Sequence, residues 1–375
     1  MRIIIIQILI WYLVRISILY ILVYMMRTIS LDFKRFLALS SLMAVFFGMF
    51  GYSGTALSAG DSELVIYSGR SDKFIKPVVA AFTKATGVKT VIHTGSSTSL
   101  LNKLKLEKKK TDADIFISND AGNLQRGNKA GLFAPVTTKI ASVIKPQFRG
   151  QDDNWIGISA RARVLVVNTK AKDIDFVNSV FDLADPRLKG KIGITHSSNE
   201  SYIAGVTVYM LSAGEKQTRE WLKGLKKNSK GRVYNKHSKI VKAVAKGKKS
   251  VGLVNHYYIY RHLNKHPAAP IRILIPDQKS AEGKPAGIAW NVAGAAITKH
   301  SKKKELAMKF MAYVTSAEGQ KIFAEVNREY PTRQDIPAAA MLPKADSFKV
   351  APVSMYKLGE QRNATIDLIE SVGMP

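Results

Sequence analysis

The stretch ELVIYSGRSDKFIKPVVAAFTKATGVKTVIHTG (63–95) determines the fold class of this chain. It begins with a short β-rich run, ELVIYSG (63–69), which ends in glycine. PVVAAFTKATG (77–87) has apolar residues at helical spacing and a final glycine that favours a helix end. VKTVIHTG (88–95) has the pattern of a second strand followed by a turn. The stretch therefore predicts a strand–helix–strand unit.

The same alternation continues along the chain. STSLLNKLKLEKKK (97–110) predicts an amphipathic helix with a Ser or Thr cap, and ADIFISND (113–120) predicts a buried strand. We expect an α/β fold with a largely parallel sheet. IGISARARVLVVNTK (156–170) predicts a long strand that joins two lobes. FDLADPRLKGKIGITH (181–196) predicts a helix, a turn and a strand, and SNESYIAGVTVYMLSAG (198–214) predicts a helix. AGIAWNVAGAAITKH (286–300) predicts a strand, and residues 301–327 predict two helices broken near Ser316.

Composition excludes several classes of protein. The chain has 375 residues, 46% of them hydrophobic, which is enough for two domains with cores of their own. It has no cysteine, so disulfides, thiolate metal sites and a cysteine nucleophile are excluded. We find no GxSxG elbow, P-loop, HExxH or dinucleotide-binding motif, and therefore expect a protein that is not an enzyme.

The chain is strongly basic, with 57 Lys and Arg against 28 Asp and Glu and a formal net charge of +29. Such a charge attracts anionic ligands, anionic membranes or nucleic acid. The basic residues are spread over many segments, of which KLEKKK (105–110) and AKGKKS (245–250) are examples. Nucleic-acid-binding proteins usually concentrate their charge in one patch or motif. We therefore assign most lysines to solvated helix faces and expect no nucleic-acid partner.

The N-terminus has two apolar segments. Residues 1–26 are almost continuously apolar and long enough to span a bilayer. Basic residues at positions 27–35, an apolar run at 37–50 and small residues at 51–60 then form a complete secretory signal.

We interpret residues 1–59 as a signal peptide or N-terminal apolar segment, with cleavage at about 56–59. In this interpretation translation begins at Met25 or Met26, and the alternative is a membrane anchor. Either way, the folded part begins near Asp61 and lies outside the cytoplasm.

The segment LVNHYYIYRH (253–262) has three tyrosines, two histidines and an arginine within seven residues. Neighbouring residues point in different directions on a helix or a strand, whereas an aromatic core stripe is spaced at two, three or four. SVGLVNHYY (250–258) predicts a strand that places Tyr257 and Tyr258 at its C-terminal end. In open α/β sheets ligands bind at that end of the strands.

The order of these motifs resembles that of periplasmic ferric-iron-binding proteins, the substrate-binding components of ABC-type iron(III) transporters in the bacterial transferrin-like family. The resemblance covers nearly all of residues 63–375, and the adjacent tyrosines after VNH (254–256) are its specific sign. The motifs that carry it are ELVIYSGR (63–70), DADIFIS (112–118), GLFAPV (131–136), ISARARVLVVNT (158–169), FDLADPRLKGKIGI (181–194), SSNESY (197–202), VNHYYIYR (254–261) and the tail KKELAMKFMAYVTSAEGQKIFAEVNREYP (303–331).

The resemblance implies a two-lobed type II periplasmic-binding-protein fold, with crossing strands between the lobes and ligand in the cleft. We expect residues 60–162 and about 288–338 in the N-terminal lobe. Residues 163–287 and about 339–375 would form the C-terminal lobe. The resemblance also implies a monomer that delivers iron to an inner-membrane ABC permease and its ATPase.

Tyr257 and Tyr258 become the two central ligands of Fe(III) in this resemblance. Tyr202 lies near the position at which some members supply a third tyrosine. A synergistic anion, carbonate or a similar one, would accompany the metal. The resemblance implies that the anion is bound by Arg161 or Arg163, by Asn199 and Ser201 at the start of a helix, and by Asn255.

The first lobe departs from the family pattern. Many members have His after the YSGR-like segment, where this chain has Ser71 and Asp72. Others have Glu after the next buried strand, where this chain has Asn119 and Asp120. Asp72, Asp120 and Tyr67 are therefore only secondary candidates, and we expect the second lobe to supply most of the ligands.

The chemistry of ferric ion agrees with this set. Fe(III) is a hard cation that prefers anionic oxygen. Free phenol has a pKa near 10, but a bound cation displaces its proton. We therefore expect acid to release the iron.

A second interpretation is a binding protein for a small anion such as a phosphorylated or sulfated solute. The arginines suit it, but a tyrosine pair does not. For His256, His262 and His266 we expect packing or surface roles rather than a metal array.

Overall fold

The computed structural model describes residues 15–16, 19–20, 63–172, 174–279 and 287–375. The chain divides into two compact units, Met1–Ser58 and Ala59–Pro375. Within the first unit the four described residues are helical, and the predicted cleavage region lies outside the described residues. No helix in the described ranges is long and apolar enough to cross a membrane.

The second unit begins with the predicted strand–helix–strand pattern. Strand β1 (Glu63–Ser68) pairs in parallel with β2 (Lys89–Thr94) and with β3 (Ile115–Ser118). Between β1 and β2 lies helix α1 (Asp72–Thr86), which buries Phe74, Ile75, Val78, Val79 and Phe82. This spacing gives one apolar helix face, and Gly87 ends the helix in the left-handed region with φ 73°.

Strand β5 (Ile156–Asn168) joins two parts of the sheet. Its first half pairs with β9 (Trp290–Thr298), which also pairs with β3 and with β4 (Phe133–Ala134). Its second half pairs with β7 (Val251–Asn255) and β8 (Ile271–Leu274). The partner of β5 changes between Ala162, which is opposite Trp290, and Arg163, which is opposite Asn255. We keep the lobe boundaries given above as a proposal.

The remaining strand, β6 (Ile192–Gly193), pairs in parallel with β7. Helices cover the sheet. In chain order after α1 they are α2 (Ser97–Glu107), α3 (Ala121–Lys129), α4 (Thr138–Ala141), α5 (Glu200–Ala213), α6 (Glu215–Ser229), α7 (His237–Ala245), α8 (His256–Lys265), α9 (Lys304–Val314), α10 (Ala317–Glu325), α11 (Met355–Glu360) and α12 (Arg362–Ser371).

The expectation of a largely parallel sheet is wrong. Five of the eight pairings between the described strands are antiparallel. The reason is that β5 runs through both parts of the sheet, and that β5 and β9 each run against all of their partner strands.

Two local predictions also need correction. The strand predicted over 250–258 ends at Asn255, and α8 begins at His256, so Tyr257 and Tyr258 lie in the first turn of a helix. Pairing with β5 stops at the Arg163–Asn255 register position, beyond which the chain is free to turn. The helix predicted from Phe181 is two short 3₁₀ segments, Val180–Ala184 and Pro186–Leu188, because Pro186 interrupts it.

Candidate functional site

A cleft of about 730 Å³ lies between the two parts of the sheet. One wall follows β1, β2 and β3. The other is formed by β5, β7 and the first turns of α5, α7 and α8. The lining residues are Gly69–Asp72, Phe74, Thr94–Ser96 and Asn119 on the first wall, and Arg161, Ser198–Ser201, His237, Asn255, Tyr257 and Tyr258 on the second.

The tyrosine pair lies in this cleft. The ring centroids of Tyr257 and Tyr258 are 4.5 Å apart, and Phe74 from the opposite wall contacts both rings edge-on. The side-chain amide of Asn255 donates to the Tyr257 hydroxyl at 3.1 Å. Burial, with the nearby Tyr257 as a smaller cause, raises the pKa of Tyr258 well above 10. The Tyr258 phenol is therefore neutral until a cation displaces its proton.

His256 fixes the start of α8 beneath the pair. Its Nδ1 accepts from the Ala162 backbone N–H at 3.1 Å, and its Nε2 lies 2.9 Å from the Arg328 carbonyl. This arrangement assigns the proton to Nε2, because the carbonyl only accepts. Burial lowers the pKa of His256 to about 3. His256 therefore holds the tyrosines in place and is not available as a ligand.

Two buried arginines lie behind the tyrosines. Arg161 lines the cleft, is 4% exposed, and has no partner for its buried Nη2 among the described residues. Arg163 lies outside the lining and donates from Nη1 to Asn255 Oδ1 at 3.1 Å. Burial lowers the pKa of Arg163. In the described part of the chain, neither guanidinium forms an ion pair with a carboxylate. Buried charge of this kind is stabilised by an anion.

The first turn of α5 completes this wall. The Asn199 side chain caps the helix by accepting from the Tyr202 N–H at 3.1 Å. Ser201 accepts from the Asn255 side chain at 3.1 Å. Asn199, Ser201 and Asn255 line the cleft, as does Arg161. A helix N-terminus beside a guanidinium suits an oxyanion.

Three further candidates, like Arg163, lie away from the cleft lining. Tyr202 is 1% exposed, and its hydroxyl is buried without a partner in the described residues. Burial raises its pKa. Tyr67 donates to the Glu107 carboxylate at 3.0 Å. Asp120 caps α3 by accepting from the Asn123 N–H at 3.1 Å.

On the first wall, Asp72 is the one acidic lining residue, and it pairs with Lys76 at 2.7 Å. No cluster of three or more His, Cys, Asp or Glu side chains that would hold a metal is found in the described ranges.

His237 and Glu200 also belong to this site. His237 lines the cleft, is 4% exposed, and has no described partner for either ring nitrogen. Its ring centroid is 5.1 Å from that of Tyr258. Burial, then Arg163 and Arg161, lower its pKa well below 6.5. Its sequence signal was its place in YNKHSK (234–239), which lies near the anion side by the resemblance to the family.

Glu200 connects the two walls. Its carboxylate accepts from the Ser97 hydroxyl at 2.8 Å and from the Thr98 N–H at 3.1 Å, both in the first turn of α2. These contacts join the two walls across the cleft. Partners about 100 positions apart in sequence cannot be identified from a local pattern.

Residues 78–350 match the family model described as bacterial extracellular solute-binding protein. The chain belongs to this family. The match confirms a binding role rather than an enzymatic one. Together with the solved structures below, it also confirms the two-lobed type II α/β fold.

The chain is similar to proteins named for iron. It is 30% identical to iron uptake protein A1 of Synechocystis sp. over 304 residues, which cover 79% of this chain and 83% of that protein. The crystal structure of iron-bound HitA from Pseudomonas aeruginosa has a TM-score of 0.77 and 28% identity, and the match covers 83% of this chain and 99% of that one. The Trichodesmium protein IdiA (FutA), in complex with iron and citrate, has a TM-score of 0.72 and 30% identity. The match covers 84% of this chain and 100% of that one.

Proposed function

We propose that this protein captures Fe(III) outside the cytoplasm and delivers it to an ABC permease. The observation that carries the proposal is the pair of adjacent phenols, Tyr257 and Tyr258, which share one cleft with the buried Arg161. The similarity to an iron uptake protein and to iron-bound structures supports it.

The charges of this site suit a ferric ion with an anion. Two phenolates supply two negative charges, and a divalent anion supplies two more against the three positive charges of the metal. Arg161 would neutralise the outer charge of the anion through a planar contact. Asn199 and Ser201 line the same cleft and would donate to its oxygens, and Asn255 would do so on giving up one of its present bonds to Ser201 and Tyr257. Carbonate fits this description, and citrate, which accompanies iron in the Trichodesmium protein, would add a third negative charge.

The first wall would contribute little to coordination. Asp72 is exposed at the rim, so water or the anion would complete the metal shell. Tyr202 would become a ligand only if its helix turned toward the cleft. On that condition we propose it as the third tyrosine ligand.

Capture and delivery require the lobes to open and close, which binding proteins of this type achieve by hinge motion. A periplasmic location follows from the family. We propose that residues 1–59 supply the secretion signal, with membrane anchoring as the alternative. The permease and its ATPase are the proposed partners, and we propose that the chain acts as a monomer.

The experiment that tests this function is a visible spectrum. Iron-free protein is mixed with ferric citrate and bicarbonate, and we expect a tyrosinate-to-iron charge-transfer band. The band should disappear in the Tyr257→Phe/Tyr258→Phe variant. It should persist in a matched Tyr260→Phe/Tyr356→Phe variant, which removes two hydroxyls outside the cleft lining.

No band in the unmodified protein, with iron left in the dialysate, would instead favour the small-anion binder. The buried guanidinium groups are the observation that supports this second candidate function. Phosphate-ester binding by the iron-free protein would then be its positive sign.

A further inference from the structure

A second cavity, of about 370 Å³, lies beside the cleft and has a basic lining. Tyr258 lines both cavities. Lys73 lines the second cavity from α1, Lys242 from α7, and Arg261 and Lys265 from α8. We call this cavity the basic pocket.

The basic pocket has no acidic residue in its lining. Within the described ranges, none of its lysines forms an ion pair with a carboxylate. Asp72, the neighbour of Lys73 in sequence, pairs with Lys76 instead. Arg261 lies over the Phe74 ring at 5.0 Å and also has no carboxylate partner in that part of the chain. The positive charges in this cavity are therefore uncompensated.

The charges repel one another across a cavity that both lobes build. Burial, then Arg261, Lys236 and Lys265, lower the pKa of Lys73. On the other side of the pocket, burial, then His266 and Lys242, lower the pKa of His262. Burial is the larger cause of both shifts, and the like charges held close together add to it.

Closure of the cleft would increase this repulsion. Lys73 belongs to α1, which packs beside the first wall, whereas Lys242, Arg261 and Lys265 belong to helices of the second wall. Lys73 Nζ lies 5.3 Å from the Tyr258 ring centroid, which keeps it at the boundary between the walls. Ser238, in the first turn of α7, also lines the pocket, so the helix dipole adds positive potential. An anion here would remove an electrostatic cost of the closed state.

We propose that the basic pocket is a second anion site, separate from the one at Arg161, and that it binds a multivalent oxyanion. Several flexible lysine charges suit a phosphate or a group of carboxylates better than a monovalent anion. The source is either free inorganic phosphate or the carboxylates of an organic acid such as citrate. The proposal does not require iron in the cleft.

The test is calorimetric titration of the iron-free protein with inorganic phosphate and, separately, with citrate at constant ionic strength. The test variant is Lys242→Gln/Lys265→Gln. The matched control is Lys84→Gln/Lys299→Gln, which removes the same charge from two exposed lysines outside both cavities. All four positions are exposed, so we expect both variants to fold.

We expect two anion sites in the unmodified protein and in the control. In the test variant, one site should weaken by about tenfold or more, which corresponds to about 1.4 kcal/mol. Loss with both anions would identify any multivalent oxyanion as the ligand, and loss with citrate alone would identify the organic acid. Equal weakening of anion binding in both variants would mean that only the net charge of the protein matters. No weakening in either variant would mean that these lysines are solvated and bind no anion. Either of these two results would overturn the proposal.

Discussion

His256 is the residue that holds the tyrosine pair in register. Its two ring nitrogens are both satisfied by backbone groups, one on β5 and one at Arg328. The sequence showed a histidine beside two tyrosines, and such a residue is easily taken for a metal ligand. Burial and backbone bonding show that it anchors the helix start.

This anchoring predicts acid sensitivity of the iron-free protein. The folded pKa of His256, about 3, is below its unfolded value of 6.5, so the neutral form stabilises the fold. That contribution is complete above about pH 6.5 and decreases as the pH falls toward 3. Within this window His256 alone should lower the free energy of unfolding by about 1.4 kcal/mol for each pH unit.

The measurement is urea unfolding between pH 6.5 and 4.5. His256→Gln keeps one acceptor and one donor, and it should flatten the pH dependence by about that amount. His300→Gln, which removes a histidine outside the cleft lining, serves as the control. Equal slopes for His256→Gln and the unmodified protein would contradict the assignment.

At the scale of elements, α5 and α2 meet end to end across the cleft through Glu200. The carboxylate accepts from the Ser97 hydroxyl and the Thr98 N–H, so it stabilises the N-terminus of a helix on the opposite wall. This contact favours the closed arrangement of the two walls.

Glu200→Ala should therefore shift the iron-free protein toward an open form. Two hydrogen bonds are lost, and each contributes about 0.5–1.5 kcal/mol, so the ratio of closed to open molecules should fall about fivefold or more. The measurement is the radius of gyration in small-angle X-ray scattering. Glu215→Ala, at the exposed start of α6, is the matched control. An unchanged radius for Glu200→Ala would rule out this role.

The elements themselves were largely predictable. Helix α1 and strands β1, β2, β3 and β5 follow from apolar spacing and a glycine stop. The end of β7 was not predictable, because it depends on where pairing with β5 stops. The orientation of β9 was not predictable either, since it depends on how the chain returns from the second part of the sheet.

Only part of the site was predictable from the sequence, because the rest depends on contacts between segments that are far apart in the chain. Neighbours in sequence, such as Tyr257 and Tyr258, lie together in the cleft as expected. Arg70 lines the cleft, yet its carboxylate partner is Glu329, 259 positions away, at 2.7 Å. No local pattern indicates such a pair. The positions of Tyr67 and Tyr202 likewise depend on packing across elements.

At the scale of the whole molecule, the candidate site lies where β5 passes from one part of the sheet to the other. Arg161 is opposite Asn291 of β9, and Arg163 is opposite Asn255 of β7. A bound anion at Arg161 would therefore contact the strand that both lobes share. Metal and anion together would fix the closed arrangement, and their loss would free it.

The most direct test of this account is a crystal structure of the protein loaded with ferric ion and bicarbonate, with diffraction recorded at the iron absorption edge. We expect one strong anomalous peak within coordination distance of the hydroxyl oxygens of both Tyr257 and Tyr258, with an anion between the metal and Arg161. A peak elsewhere, or no peak in crystals of protein exposed to excess iron, would contradict it.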